Sequence, residues 1–298
     1  MFRYTLQQRV VASDCELPLL APASGAADAD LVLRLDARSS DAPQATPWYR
    51  GPSMAIEASA AGGRVLRFDD GTSFLVAADG RAITVLSAPA HYTRDDLAAY
   101  ALGPVLGIAL HLQGAVLLHA AAVVMRGRAI VIAGGAGSGK STTAAILHRD
   151  GYEILADDLT EIAVTRPFAA LPSLPAIRLW PDVLEALYGS AAAFPDRAPS
   201  WEKKIVRVTP ADGEREIAAI LMVERGDTPR LERLAPRDGW ERLIAAAYTA
   251  PLPDPAMREK IFHVTTALAD QVPLYAFVPP PIAEPEGLGA LLERELFA

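Results

Sequence analysis

Gly134, Gly139, Lys140 and Ser141 complete the pattern GxxxxGK[ST] within AGGAGSGKST, and the residue types at that spacing suit a polyphosphate. Glycines let the backbone fold close enough for successive N–H groups to point inward at clustered negative charge. On this reading Gly135, Ala136, Gly137, Ser138, Gly139, Lys140, Ser141 and Thr142 form the cradle. Lys140 reaches the β- and γ-phosphates, the Ser141 hydroxyl ligates Mg²⁺, and Thr142 is a candidate for the α-phosphate. Further on, Asp157 and Asp158 stand side by side. One such carboxylate can hold Mg²⁺, with Asp158 the metal candidate beside Ser141, and the other can accept a proton from an attacking hydroxyl. Together these groups point to phosphoryl transfer.

The elements needed to position them are legible around the motif. An apolar strand, Ala129 to Ala133, precedes the loop, and a helix through Ala144, Ala145, Ile146 and Leu147 follows it. Its N-terminus adds unpaired N–H groups and a positive dipole end. Gly151 suits the left-handed position after a helix. A short strand, Tyr152 to Ala156, then delivers both acids at its carboxyl end, which in a parallel sheet faces the ligand crevice. A hairpin from Leu117 to Ala133, turning at Arg126-Gly127, would set His119 beside the loop, where it could orient or tune the catalytic aspartate. Arg178, between Ile177 and Leu179, is a candidate to stabilise transferred phosphate or to bind a substrate carboxylate, and an ordinary surface salt bridge is an equal alternative.

The succession LHAAAVV, AGGAGSGKST and GYEILADDLTEI resembles the catalytic domain of the HPr kinase family, whose members phosphorylate serine. The resemblance implies that His119 lies near the catalytic acid, that Asp157 and Asp158 match the family's acidic pair, and that Lys140 and Ser141 match its nucleotide and Mg²⁺ ligands. After the acidic pair this chain reads PSLPAIRLWPDVLEALYG, without the glycine-containing segment HPr kinases carry there. The layout is closer to stand-alone HPr-kinase-like proteins of peptide-modifying systems, some of which resemble kinases for a serine on a lasso-peptide precursor. The expected fold is α/β, a phosphate-loop kinase domain over residues 91–298 with a smaller, mainly antiparallel β domain over 1–90. The expected ligands are ATP and Mg²⁺, the expected partner is a peptide or small protein bearing the acceptor serine, and a homo-oligomer is left open.

Composition bounds the rest. A formal charge of −8 argues against broad nucleic-acid or acidic-membrane binding. Cys15 is the only cysteine, which excludes an intrachain disulfide and a cysteine-rich zinc site and agrees with a cytoplasmic location. The apolar stretch Leu17 to Ala27 lacks the flank of a signal peptide. Leu97 to Met125 carries no charged residue, but Gly103, Pro104, Gly107, His111, Gln113 and Gly114 break it up as a membrane span.

Elsewhere, Leu31, Leu33 and Leu35 alternate as in a half-buried strand, and Arg64–Phe68, Thr72–Ala77 and Arg81–Leu86 form a meander turning at Asp70-Gly71 and Asp79-Gly80. Asp36 to Pro52 reads as a loop carrying Trp48 and Tyr49, which either pack beneath it or form a peptide-binding surface. Thr93 and Asp96 form a capping box for a helix that Pro104 kinks, with His111 a core residue. Pro167 to Pro175 is extended, and Pro181-Asp182 opens a helix that Gly189 closes. Lys203 and Lys204 either receive an acidic peptide or phosphate or simply keep the surface soluble. Ile217–Val223 and Leu274–Val278 are strands, and Asp254-Pro255 opens a helix burying Met257, Ile261, Val264 and Leu268. A nucleotide-hydrolysing switch and a nucleotide-binding regulatory subunit are the rival functions.

Overall fold

Alternation at Leu31, Leu33 and Leu35 acts as a period of two dictates: all three side chains are buried, while Val32 and Arg34 are not. The computed structural model describes residues 1–24, 27–36, 44–209, 211–248, 254–283, 285 and 287–298. It separates into two units, Met1–Ala115 with Arg197–Trp201 and Ala250–Met257, and Val116–Asp196 with Glu202–Thr249 and Arg258–Ala298. The fold is mixed α/β with several sheets.

The first unit holds β1 (Phe2–Leu6), β2 (Arg9–Ser13), β3 (Ala21–Pro22), β4 (Leu31–Arg34), β5 (Ala45–Arg50), β6 (Met54–Ser59), β7 (Arg64–Phe68), β8 (Ser73–Val76) and β9 (Ala82–Ser87). They form one sheet in the order β3-β1-β2-β4-β9-β8-β7-β6-β5. The expected meander is present from β7 to β9, and it extends antiparallel through β6 and β5. β4, however, runs parallel to both β2 and β9, so the sheet is mixed. The loop expected over Asp36 to Pro52 is instead strand from Ala45 to Arg50. Residues 37–43 of that stretch, and 25–26 of the apolar stretch before it, lie outside the described residues. On β5, Trp48 lies beneath the Arg64 guanidinium, 3.7 Å from the ring centroid.

The Thr93–Asp96 capping box opens α1 (Arg94–Tyr100). Pro104 disfavours helical geometry at the residue before it, and Gly103 takes φ −125°, ψ −113° inside a π-helical turn over Ala101–Val105. The chain resumes as α2 (Leu106–Leu112), with His111 buried and Nδ1 3.0 Å from the Ala115 carbonyl. Among the described residues no helix is long and apolar enough to cross a membrane.

The second unit contains β10 (Val116–Leu118), β11 (Ala120–Met125), β12 (Arg128–Ala133), α3 (Lys140–Arg149), β13 (Glu153–Ala156), β14 (Thr160–Ala163), β15 (Ala169–Ala170), β16 (Ala176–Leu179), α4 (Pro181–Tyr188), β17 (Lys204–Arg207), β18 (Arg215–Val223), β19 (Arg230–Arg233), α5 (Pro236–Ala246), α6 (Pro255–Gln271), most of which falls here, β20 (Leu274–Val278) and α7 (Leu288–Leu296). Its main sheet runs β10-β14-β15-β18-β12-β11-β13, with β20 also on β18 and β19 on β20. A parallel sheet was the expectation, but among the described residues of this unit only β12, β18 and β20 pair that way. β11 runs antiparallel to both β12 and β13 and separates them. Because two reversals restore direction, β12 and β13 still end at the same edge of the sheet.

The apolar run that made α3 legible is its buried face. Ala144, Ala145, Ile146 and Leu147 join Val123, Ile130 and Ile132 of the sheet, Leu184 of α4 and Leu288 and Leu292 of α7 in one core. At about 1.5–3 kcal/mol for each fully buried large aliphatic side chain, this packing holds the helix N-terminus in place.

Candidate active site

β12 ends at Ala133 and the chain turns at once. Gly134 adopts φ +150°, and a Cβ there would come within 2.8 Å of both Ser138 Oγ and the Val223 carbonyl. Gly139, at φ +105°, is the residue before α3. A side chain at either position would be strained, which is why the motif specifies glycine there. Between them Gly135, Ala136 and Gly137 are exposed at the crest, and Ser138 N–H donates to the Gly135 carbonyl at 3.2 Å. Lys140 folds back under the loop, its Nζ donating to the Gly134 and Gly135 carbonyls at 3.0 and 2.8 Å. Burial pushes the Lys140 pKa below its ordinary value, with Lys203 adding to the effect and Asp158 and Asp157 opposing it. Thr142 is half-buried in the first turn of α3.

The acids hang from the end of β13. Asp157 is 2% exposed and uses both oxygens: Oδ1 accepts from Ser141 Oγ at 2.7 Å, and Oδ2 accepts from the Arg178 backbone N–H at 3.0 Å. Burial, then the adjacent Asp158 charge, raises its pKa, against the Ser141 and Arg178 contacts. Asp158 is more open and sits at φ +71°, a left-handed conformation uncommon for a residue with a Cβ. Its Oδ2 accepts from Arg178 Nη1 at 2.6 Å and its Oδ1 lies 3.5 Å from His119 Nδ1. Strain of this kind persists where the surroundings over-determine it, as they do here from both sides.

His119 departs from the expected hairpin. The strand Leu117 to Met125 is broken in two, and His119 occupies the break between β10 and β11. Its N–H donates to the Ala246 carbonyl at 2.8 Å, at the end of α5. Burial lowers its pKa more than Asp158 raises it, and Lys140 and Lys203 lower it further. The imidazole is therefore held neutral near pH 7.

Five predicted residues thus converge: Lys140 under the loop, and Asp157, Asp158, His119 and Arg178 linked to one another or to Ser141. Ser141 pairs with Asp157 rather than with Asp158, its expected companion at a metal ion. Arg178 is 7% exposed, so the surface salt bridge weighed for it gives way to an ion pair whose guanidinium is buried and whose carboxylate is partly exposed. Lys204 is tied to Asp196 at 2.7 Å and to the Phe194 carbonyl, leaving Lys203 as the member of that pair whose charge acts on the site. Sequence reasoning missed Arg225, whose Nη2 donates to the Gly137 carbonyl at 2.9 Å and steadies the loop crest. Its only signal was a position just past the strand beside β12.

No family model and no curated protein sequence matches this chain. Among solved structures, the HPr(Ser) kinase/phosphatase from Coxiella burnetii aligns with 60% of this chain and 95% of its own, at 12% identity and a TM-score of 0.32. So slight a likeness leaves the site to be judged on its own geometry.

The donor chemistry fits a hard divalent ion: the buried Asp157 carboxylate and the Ser141 hydroxyl at the start of α3 supply two oxygens. Such a site leaves further positions to phosphate oxygens and water, as Mg²⁺ prefers. Ser138 Oγ, buried without a partner among the described residues, is a further polar atom within the loop.

Proposed function

We propose that the chain is a kinase that uses ATP and Mg²⁺ to phosphorylate a serine hydroxyl on a peptide or small protein, with a lasso-peptide precursor as one such acceptor. The observation that carries this reading is the hydrogen bond from Ser141 Oγ to Asp157 Oδ1, which joins the phosphate loop to the acidic pair. In this assignment Gly135 to Thr142 cradle the phosphates and Lys140 faces their charge. Ser141 and Asp157 would hold Mg²⁺, which when bound would offset charge on the phosphates.

Asp158 is the base. It is the more open acid, and its two oxygens are oriented by Arg178 and His119, so a hydroxyl approaching the loop meets it first. The acceptor proton passes to Asp158, the freed oxygen bonds to the γ-phosphorus, and the bond from that phosphorus to the ADP oxygen breaks. Arg178 holds the carboxylate against swinging away, and neutral His119 orients it without competing for the proton.

Incubation of the protein with Mg·ATP and serine-containing peptides, read by mass spectrometry, tests the reading. Phosphoserine formed only with Mg²⁺ supports it. Steady release of ADP with every peptide unmodified would assign the site to hydrolysis instead.

A further inference from the structure

Beside the acids, β16 and β17 form a two-stranded antiparallel ribbon with Arg178 opposite Ile205 and Leu179 opposite Lys204. Arg178 turns toward Asp158 from this ribbon. Alternation along strands puts the next positions of the same face, Trp180 and Lys203, across from each other at its end. The contact is observed: Lys203 Nζ lies 5.4 Å from the Trp180 ring centroid, and Trp180 is 46% exposed. An indole face holds an ammonium without neutralising it. Among the described residues Lys203 has no carboxylate in ion-pair reach, whereas its neighbour Lys204 is bound to Asp196.

A stacked cation without a carboxylate partner, at the end of the ribbon whose Arg178 holds Asp158, calls for an anionic visitor. The phosphates already have the loop amides, Lys140 and the dipole of α3. An acidic acceptor segment, by contrast, would meet repulsion from Asp157 and Asp158 unless a cation stood on its path. Resting on the kinase reading above, we infer that Trp180 and Lys203 form the acceptor-side subsite and select a peptide with an aspartate or glutamate beside its serine. Trp180 supplies a flat wall for the peptide backbone, and Lys203 pairs with the carboxylate.

The test uses fluorescent serine peptides with blocked ends that differ only in flanking residues, Asp or Lys. Binding is measured by anisotropy with Mg·ADP present, and phosphorylation with Mg·ATP, for the wild-type protein and for Lys203→Glu. The wild type binds and phosphorylates the Asp-flanked peptide about tenfold better, the discrimination expected when one charge pair is attractive in one peptide and repulsive in the other. Lys203→Glu reverses the order, a switch that mere loss of structure does not produce. The same ranking in both proteins, or no binding of either peptide, overturns the subsite. A reversed binding preference with no phosphate transferred would keep the subsite and refute the kinase. A change confined to the KM for ATP would place Lys203 on the nucleotide and also overturn the proposal.

Discussion

Asp157 and Asp158 differ by one position in sequence and by almost everything in environment. The buried acid is tied to a hydroxyl and a backbone N–H, and the open one to a guanidinium and an imidazole. That the acids belong beside the loop was legible from their place one strand after it. Which acid does what was not, because the distinction depends on Arg178 arriving from a distant strand. Burial also has a stability consequence. A carboxyl whose folded pKa is raised contributes stability below its unfolded pKa, and loses it as pH rises through the folded value. Above its unfolded pKa, and so at neutral pH without divalent ions, Asp157 therefore costs the fold stability. Asp157→Asn keeps both hydrogen bonds, since the Ser141 hydroxyl can reverse its role. The variant is expected to melt a few degrees higher than wild type at pH 7 in EDTA, at roughly 2–4 °C per kcal/mol for a chain of this size. The gain should shrink as pH falls below the raised pKa, and phosphoryl transfer should be lost. Thermal melts at two pH values check the sign.

The segment from β12 through the loop and α3 to β13 could be read directly because each element is encoded by its own contiguous apolar run and punctuated by glycine. Gly151, at φ +97°, ends α3 as expected. What could not be read was set by partners far along the chain. His119 breaks a continuous apolar strand because its N–H is claimed by Ala246 at the end of α5, and α5 itself is masked in the sequence by Gly239. That glycine is needed for packing, since a Cβ there would come within 3.1 Å of Leu274. α7 escaped notice behind the prolines that precede it, and its seat also depends on a glycine. A Cβ on Gly289 would collide with the Tyr152 ring, and its N–H donates to Asp150 at the end of α3. Gly289→Ala should therefore cost about 1–3 kcal/mol as an overpacked contact, despite the better helix propensity of alanine. Urea denaturation measures it, and a neutral or stabilising result would mean that Tyr152 simply moves aside.

Over the whole molecule, 36 acidic residues face 28 basic ones, yet Lys140 and Arg225 both bond carbonyls of the glycine-rich loop, and Arg178 bonds the open acid of the Asp157–Asp158 pair. The single cysteine offers a report on the other unit. Cys15 is 2% exposed, and burial, reinforced by Asp14, pushes its thiol pKa up against the Ser13 contact. Native protein should thus resist alkylation near pH 8 and react fully in denaturant, with labelling time courses as the readout. Catalysis as proposed divides between a loop that holds ATP and a carboxylate that takes the proton, and the sharpest measurement compares Asp158→Asn with wild type for single-turnover transfer to a serine peptide and, in parallel, for ATP affinity. Transfer is expected to fall by about 10²–10⁴ while ATP binding changes little, and transfer at the wild-type rate would contradict Asp158 as the base and with it the proposed mechanism.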